Sequence, residues 1–279
     1  MQRVSSGVYV ADGFRCGNIG LILTAEGAVV IDTPMLQSEV ERFRAEMAGL
    51  TDKEVIFVVN TDHHKERVLG NWLFPEAAVI SHELAFQEMK NYTEAWLQRL
   101  LETARESDPE MAEGLIGLTP VLPEITFNRK MTLHLGDKVL HLFHVGGHTP
   151  GSIMVYDADS RVLFTGDVVV NKMHPVLGQA NSSEWLEALG RIRKLKVDRL
   201  VPGQGEVCGK EAIQEIADYL QSLRSSVQRL YNAGYSRGEV VSELMNMIDF
   251  FSVPAGERSR VERELKAGVA RLYDELKAD

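Results

Sequence analysis

The sequence predicts a layered α/β fold, and three observations support that prediction. Apolar runs of strand length alternate with helical segments along most of the chain. A strand-turn-strand unit ending in an aspartate occurs at 19–32 and again at 153–167, consistent with two similar β-rich halves packed face to face. After about residue 208, the periodicity is helical to the end. This organisation is typical of sheets covered by helices.

The first predicted strands lie near the N-terminus, at 7–11, 19–24 and 28–32. The last of these ends at Asp32, and the turn Ala25-Glu26-Gly27 precedes it. A further strand at 55–59 leads into a polar loop, and the later hairpin pairs 153–156 with 162–164. Alternating or continuous apolar runs bounded by turn residues favour strands at each of these positions.

Helices are predicted between the strands. Residues 36–50 have apolar side chains at helical spacing, and residues 183–195 follow Asn181-Ser182, which favours a helix N-cap. A longer helix is predicted at about 83–105, within a helical insertion at about 83–118. We expect its apolar side chains to pack in the core, and a wall of a substrate pocket is the alternative.

The C-terminal part is predicted to be a helical extension, residues 209–279, that follows a first domain at 1–208. Its helices are expected at about 209–232, 236–250 and 257–277. The last helix has a narrow apolar stripe formed by Val261, Leu265, Val269, Leu272 and Leu276. The stripe is expected to dock on the rest of the chain, and a homodimer contact is the alternative.

Composition limits the partners and the compartment. The formal net charge is −10 and no basic stripe is present, which argues against binding to a nucleic acid. Cys16 and Cys208 are far apart in the sequence, so a reducing compartment is expected. The sequence has no apolar signal segment and no run of about 20 apolar residues that could span a membrane. These features predict a cytoplasmic protein that binds neither a nucleic acid nor a membrane. A small-molecule substrate is predicted from the motifs described next.

Three segments carry side chains suited to binding a metal ion. The first, NTDHHKERVLGN at 60–71, follows the strand at 55–59 directly. The second is the glycine-rich turn GGHTPGS, which contains His148, and the third is LFTGD, which ends at Asp167. A strand that runs into a loop rich in Asp and His presents potential ligands at the end of a sheet.

The order and spacing of these segments resemble the metallo-β-lactamase superfamily of hydrolases. In that family's first motif, His-x-His-x-Asp-His, the ligand positions correspond here to Asp62, His64, Glu66 and Arg67. VPGQG at 201–205 resembles the family's late Pro-Gly-His-Gly turn, with Gln204 in the position of the histidine. The resemblance covers roughly residues 4–210. It implies a four-layer αβ/βα sandwich, here with the C-terminal helical extension.

The resemblance also implies the metal content. One family site becomes Asp62, His64 and His148, and each of these residues can bind a divalent ion. The other site becomes Glu66, Arg67 and Gln204, and arginine is never a ligand because it stays protonated and lacks an acceptor. We therefore expect one divalent transition metal, held by Asp62, His64, His148 and Asp167. Zinc is favoured, and iron or manganese remain open.

Roles for the neighbouring polar residues follow from the same resemblance. Arg67 is predicted to replace the missing ion by pairing with Asp167 or with an anionic substrate group, and a solvated Arg67 is the alternative. Glu66 is a candidate proton acceptor, and Asp167 is the second catalytic candidate. The remaining predicted contributors, as pocket-wall, substrate-binding or bracing residues, are His63, His174, Gln204 and Asp32.

Three functions are compatible with this sequence. The favoured one is hydrolysis of a small ester, thioester, lactone or amide by one metal-activated water. The second is a degenerate member that binds a metal, ligand or partner without hydrolysis. The third is an iron-dependent redox reaction, as in diiron relatives, which is disfavoured because no flavodoxin-like segment follows.

Overall fold

The computed structural model describes residues 1–278, and its architecture is a sandwich of two sheets with helices on both outer faces. The first sheet has strand order β1-β2-β3-β4-β5-β6-β7. Its strands are β1 (Gln2–Ser5), β2 (Val8–Phe14), β3 (Gly17–Leu23), β4 (Ala28–Ile31), β5 (Val55–Val59), β6 (Ala78–His82) and β7 (Ile125–Phe127). Pairing is antiparallel from β1 to β4 and parallel from β4 to β7.

The second sheet has strand order β12-β11-β10-β9-β8. Its strands are β8 (Lys130–Leu135), β9 (Lys138–His144), β10 (Ile153–Asp157), β11 (Val162–Phe164) and β12 (Arg199–Val201). Strands β8 to β11 pair antiparallel, and β11 pairs parallel with β12. Each predicted hairpin is therefore present, as β3–β4 in one sheet and β10–β11 in the other.

Apolar side chains from both sheets fill the space between them. Val10 and Ile31 of the first sheet share one buried cluster with Leu142 and Val155 of the second. On the outer face of the first sheet, Val40 and Phe43 belong to α1 (Gln37–Ala48) and pack against buried strand residues. Helix α6 (Ser182–Lys194) covers the second sheet, with Asn181 as its N-cap. The predicted four-layer arrangement is confirmed.

The predicted helix at 83–105 is broken, so that part of the prediction is wrong. A single-turn helix, α2 (Lys65–Val68), lies earlier in the chain. The insertion itself contains α3 (Glu83–Met89), α4 (Glu94–Ser107) and α5 (Pro109–Gly114). Thr93 ends the interruption, because its side chain caps α4 by accepting from the Trp96 backbone N–H. Much of the insertion packs into its own apolar cluster with Met35, Leu36 and Leu69.

The C-terminal helices share a core with the second sheet. They are α7 (Glu211–Asn232), α8 (Arg237–Glu243) and α9 (Arg258–Ala278), and a 3-10 turn at Met245–Asp249 replaces the end of the helix predicted at 236–250. The stripe residues Val261, Leu265, Val269 and Leu272 are buried in the cluster that also includes Trp185 of α6. The stripe thus docks within its own chain, and the homodimer remains a prediction without an assigned surface. Among residues 1–278, no helix has both the length and the apolar character needed to cross a membrane.

Candidate active site

The loop after β5 is held in place by buried hydrogen bonds. The Thr61 backbone N–H and hydroxyl donate to the two carboxylate oxygens of Asp32, at 2.8 and 2.7 Å. Asn60 and Asn71 exchange side-chain hydrogen bonds at 3.0 and 2.9 Å. Because a carboxylate and two amides fix this backbone, the next residues project from a rigid support at the edge of the sheet.

The four predicted ligand residues meet at one point. Asp62, His64, His148 and Asp167 each offer one ligand atom, and these atoms all lie within 4.8 Å of one another. Asp62 Oδ2 is 3.2 Å from His64 Nδ1 and 3.6 Å from His148 Nε2. His148 Nε2 is also 3.8 Å from Asp167 Oδ2. Two imidazoles and two carboxylates at such distances form a donor set suited to a divalent transition metal.

The imidazole of His148 is oriented by its surroundings. Its Nδ1 donates to the Val176 carbonyl at 3.1 Å, and the Trp185 ring packs against it with the ring centroids 5.3 Å apart. The other ring nitrogen, Nε2, therefore faces Asp62 and Asp167. Burial, with the nearby His64, lowers the pKa of His148 to about 4, so the ring is neutral and its Nε2 carries a lone pair, 3.4 Å from His64 Nδ1. A backbone carbonyl bonded to one ring nitrogen is the usual support of a histidine ligand.

His64 has the opposite electrostatic setting. Burial disfavours its charged form, but the adjacent Asp62 carboxylate outweighs burial and raises the pKa of His64 to about 9. The same His64 proton holds the pKa of the buried Asp62 well below its usual range, against the effect of burial. The residues present fit a metal ion, because a divalent cation can take the place of this proton between the imidazole and the carboxylates.

Arg67 lies beside these ligands and is buried, with 1% of its side chain exposed. Its Nη1 donates to Asp32 Oδ2 at 2.8 Å, and its Nη2 donates to Asp167 Oδ1. Its Nε lies 3.8 Å from Asp62 Oδ2. The predicted alternative of a solvated Arg67 is wrong, since the guanidinium occupies a buried position among three carboxylates. A planar group with five donors is suited to bridging carboxylates in this way.

Asp32 and Gly203 complete the buried surroundings of Arg67. Asp32 has a left-handed backbone, with φ 60°, and burial raises its pKa to about 6 even though Arg67 and Thr61 favour the charged form. A side chain at Gly203 would collide with Asp167 Oδ1 and Arg67 Nη2. The Pro-Gly turn thus allows its backbone to approach the ion pair closely.

The other predicted site residues lie at different distances from the cluster. Glu66 and Gln204 line the same cavity as the ligand residues. Burial would raise the pKa of Glu66, but the Lys65 ammonium that binds it lowers the pKa overall. His63 is buried and stacks on His64, while His174 lines a neighbouring cavity. The His63 Nδ1 is buried without a hydrogen-bond partner in the described structure.

A cavity of about 540 Å³ opens onto the ligand cluster, and sequence reasoning missed several of its walls. Arg15 and Cys16 contribute from the turn between β2 and β3. Arg260 and Glu264 contribute from α9, close to 200 residues after the first ligand. Charged residues three or four apart on a helix ordinarily indicate a solvated face, so no local signal could have placed these two at the site.

Comparison with known proteins places this site in a family. The family model described as "Metallo-beta-lactamase superfamily" matches residues 12–204. The acyl-coenzyme A thioesterase MBLAC2 of Gallus gallus is 29% identical over 214 residues, covering 72% of this chain and 76% of the relative. Its Homo sapiens counterpart is 27% identical, with 72% and 77% coverage.

Solved structures show the same fold. A metallo-beta-lactamase from Pontibacter korlensis aligns with a TM-score of 0.59 and 22% identity, covering 79% of this chain and 97% of its own. The stereoselective inverting sec-alkylsulfatase Pisa1 from Pseudomonas sp. aligns with a TM-score of 0.72 and 16% identity, covering 98% and 49%. This chain therefore spans about half the length of that alkylsulfatase. The family match over most of the chain, together with the ligand cluster at the predicted edge, shows that the protein belongs to the metallo-beta-lactamase superfamily.

Proposed function

We propose that this protein is a metal-dependent hydrolase of a small acyl thioester or related ester, and that it uses one divalent ion. The observation that supports a single ion is the placement of Arg67, which stands at the motif position of a second-metal histidine and whose guanidinium binds Asp167 and Asp32. The ion's ligands would be Asp62, His64, His148 and Asp167. The thioester class is favoured because relatives that share about three quarters of their length with this chain are named acyl-coenzyme A thioesterases.

When bound, the metal would supply Lewis acidity and lower the pKa of a water molecule. The protein's contribution is to fix the acceptors around that position. Arg67 holds one oxygen of Asp167 and leaves Oδ2 directed at His148. The positive charge of Arg67, close to Asp62, also favours the ionised form of that carboxylate.

Glu66 would accept the proton. Its carboxylate lines the cavity with His64 and Asp167, and its lowered pKa keeps it ionised at neutral pH. Hydrolysis forms a bond between a water oxygen and the acyl carbon and breaks the carbon–sulfur bond. One water proton passes to Glu66 and then to the departing thiolate, which leaves as a thiol. A carboxylate beside the reacting group is a common base for such a transfer.

The test combines metal content with hydrolysis. Purified protein should contain one transition metal ion per chain by elemental analysis, and it should release thiol from a short acyl thioester. Removal of the ion with a chelator should abolish release, and replacement of the ion should restore it. Two tightly held ions per chain would contradict the role of Arg67. Metal binding without release from any thioester or ester would favour the alternative of a binding protein.

A pair of histidine variants tests the ligand assignment. His148→Ala removes a donor nitrogen from the cluster and should lower metal retention at least about tenfold. His63→Ala is the matched control, because His63 is also buried in the loop but is outside the cluster. It should retain the ion at parental stoichiometry during dialysis. Equal loss from both variants would show that the loop has been assigned incorrectly.

A further inference from the structure

A second cavity, of about 260 Å³, adjoins the cavity at the ligand cluster. Both cavities are lined by Asp167, Val176 and Gln204 on one side and by Arg260 and Glu264 of α9 on the other. The smaller cavity, here called the α9 chamber, therefore begins at a ligand residue. It extends between the second sheet's loops and the C-terminal helices.

Six of the fourteen residues that line the α9 chamber are apolar. Its apolar lining consists of Val170, Met173, Val176, Val253, Pro254 and Val261. Val170 and Val261 are buried, and Met173 and Val253 pack against the same core cluster. These side chains come from three separate parts of the chain, so the chamber exists only because α9 folds back over the site.

Most of the polar side chains at the α9 chamber are already paired within the described structure. His174 Nε2 is hydrogen-bonded to the Ile248 carbonyl at 2.9 Å, and its Nδ1 is hydrogen-bonded to the Tyr219 hydroxyl at 3.3 Å. Arg260 Nη1 donates to Glu264 at 2.8 and 3.0 Å, and its Nη2 donates to Glu257. Since these groups satisfy one another, the apolar lining of the chamber is the surface left to a ligand, and it favours an apolar one.

We propose that the α9 chamber binds the acyl chain of the substrate and so sets its length. This inference rests on the proposed thioester hydrolysis, and it assigns α9 a specificity role. A carbonyl beside Asp167 would allow the chain to enter the chamber while the thiol group remains in the larger cavity. A methylene and a water molecule have similar volumes, about 30 Å³, so the chamber has room for roughly eight carbons.

The experiment measures thiol release from acetyl, butyryl, octanoyl and palmitoyl thioesters that share one leaving group. The value of kcat/KM should rise at least about tenfold from acetyl to octanoyl, because each buried methylene favours binding. It should not rise further to palmitoyl. A flat profile would overturn the chamber assignment while leaving thioester hydrolysis intact.

Variants at Val261 change the size of the chamber in both directions. Val261→Phe should lower the octanoyl-to-acetyl ratio of kcat/KM at least about tenfold, and Val261→Ala should move the optimum to a longer chain. Val269→Ala is the matched control, because Val269 is buried on the same helix but is outside the chamber lining. It should leave the ratio unchanged. If Val261→Phe does not fold, Val261→Ala alone decides the outcome.

Binding of octanoate separates the two proposals. Calorimetry should detect octanoate binding to the parent protein and at least about tenfold weaker binding to Val261→Phe. If the parent hydrolyses no thioester but this binding difference is found, the hydrolysis proposal fails and the apolar chamber stands. If octanoate does not bind, or binds both proteins equally, the chamber assignment is overturned whatever the catalytic result.

Discussion

Two aspartates follow comparable hairpins in the two halves of the molecule. One carboxylate is buried beneath a loop, and the other faces the cavities. Asp32 directly follows β4, has 2% of its residue surface exposed and binds the Thr61 backbone. Asp167 is separated from β11 by Thr165 and Gly166, and it lines both cavities. The added turn moves the second carboxylate from the sheet edge into the open site. The same strand-aspartate pattern therefore supports the loop in one half and supplies a candidate metal ligand in the other.

Arg67 connects the two halves, because one guanidinium nitrogen binds each of these aspartates. Its position also explains why the sequence departs from the family at this point. A metal ion needs lone pairs from its neighbours, whereas a guanidinium supplies donors to acceptors that are already present. The buried Asp32 and Asp62 thus have a cation of the same chain beside them.

Removal of Arg67 should have the largest effect on stability. Arg67→Met leaves the buried Asp32 without its cation, and we expect a loss of about 3–5 kcal/mol in the free energy of unfolding. Urea denaturation of metal-free protein measures it. Arg67→Lys, which keeps the charge but cannot bridge both aspartates, should lose less. A parental unfolding free energy in Arg67→Met would show that the bridge contributes no stability.

Replacement by asparagine should reduce stability more at Asp32 and metal affinity more at Asp167. Asp32→Asn should cost about 1.5–3 kcal/mol, because charged hydrogen bonds from Thr61 and Arg67 are weakened. Asp167→Asn should cost less stability but should lower metal affinity at least about tenfold. Urea denaturation and metal titration of both variants give the comparison. If one variant loses more than the other in both unfolding free energy and metal affinity, the two aspartates do not have separate roles.

The turn that displaces Asp167 can be tested with a matched glycine pair. Gly166 has φ 50°, and a Cβ there would lie 2.6 Å from Thr61 Oγ1. Gly166→Ala should therefore cost about 1 kcal/mol or more and should weaken metal retention. Gly178→Ala, where an added Cβ meets no atom within 4 Å, should be close to neutral. Similar thermal unfolding of the two variants would show that the backbone at Gly166 is not required to position Asp167.

Sequence patterns sufficed for the elements whose evidence is local. The strands around 19–32 and the helix after Asn181 have clear periodicity and capping, and both are present as β3, β4 and α6. The ligand residues were predictable because each follows a strand in a recognisable order. Their convergence within 4.8 Å is a tertiary property, but the order of the motifs implied it.

Elements decided by distant contacts were not predictable in the same way. Apolar periodicity continues through 83–105, yet the helix is interrupted near Tyr92. The Tyr92 hydroxyl donates to the His63 carbonyl at 2.6 Å. That contact joins residues 29 positions apart and ties the interruption to the loop after β5. The α9 residues at the cavities lacked any local signal, because their charge spacing equally fits a solvated helix face.

The position of α9 in the chain has a consequence for synthesis. The four ligand residues and Arg67 all precede the helix that encloses the α9 chamber. A chain emerging from the ribosome therefore contains all four candidate metal donors before the chamber wall has been made. The residues proposed to hold the metal are thus made before the helix proposed to select the length of the acyl chain.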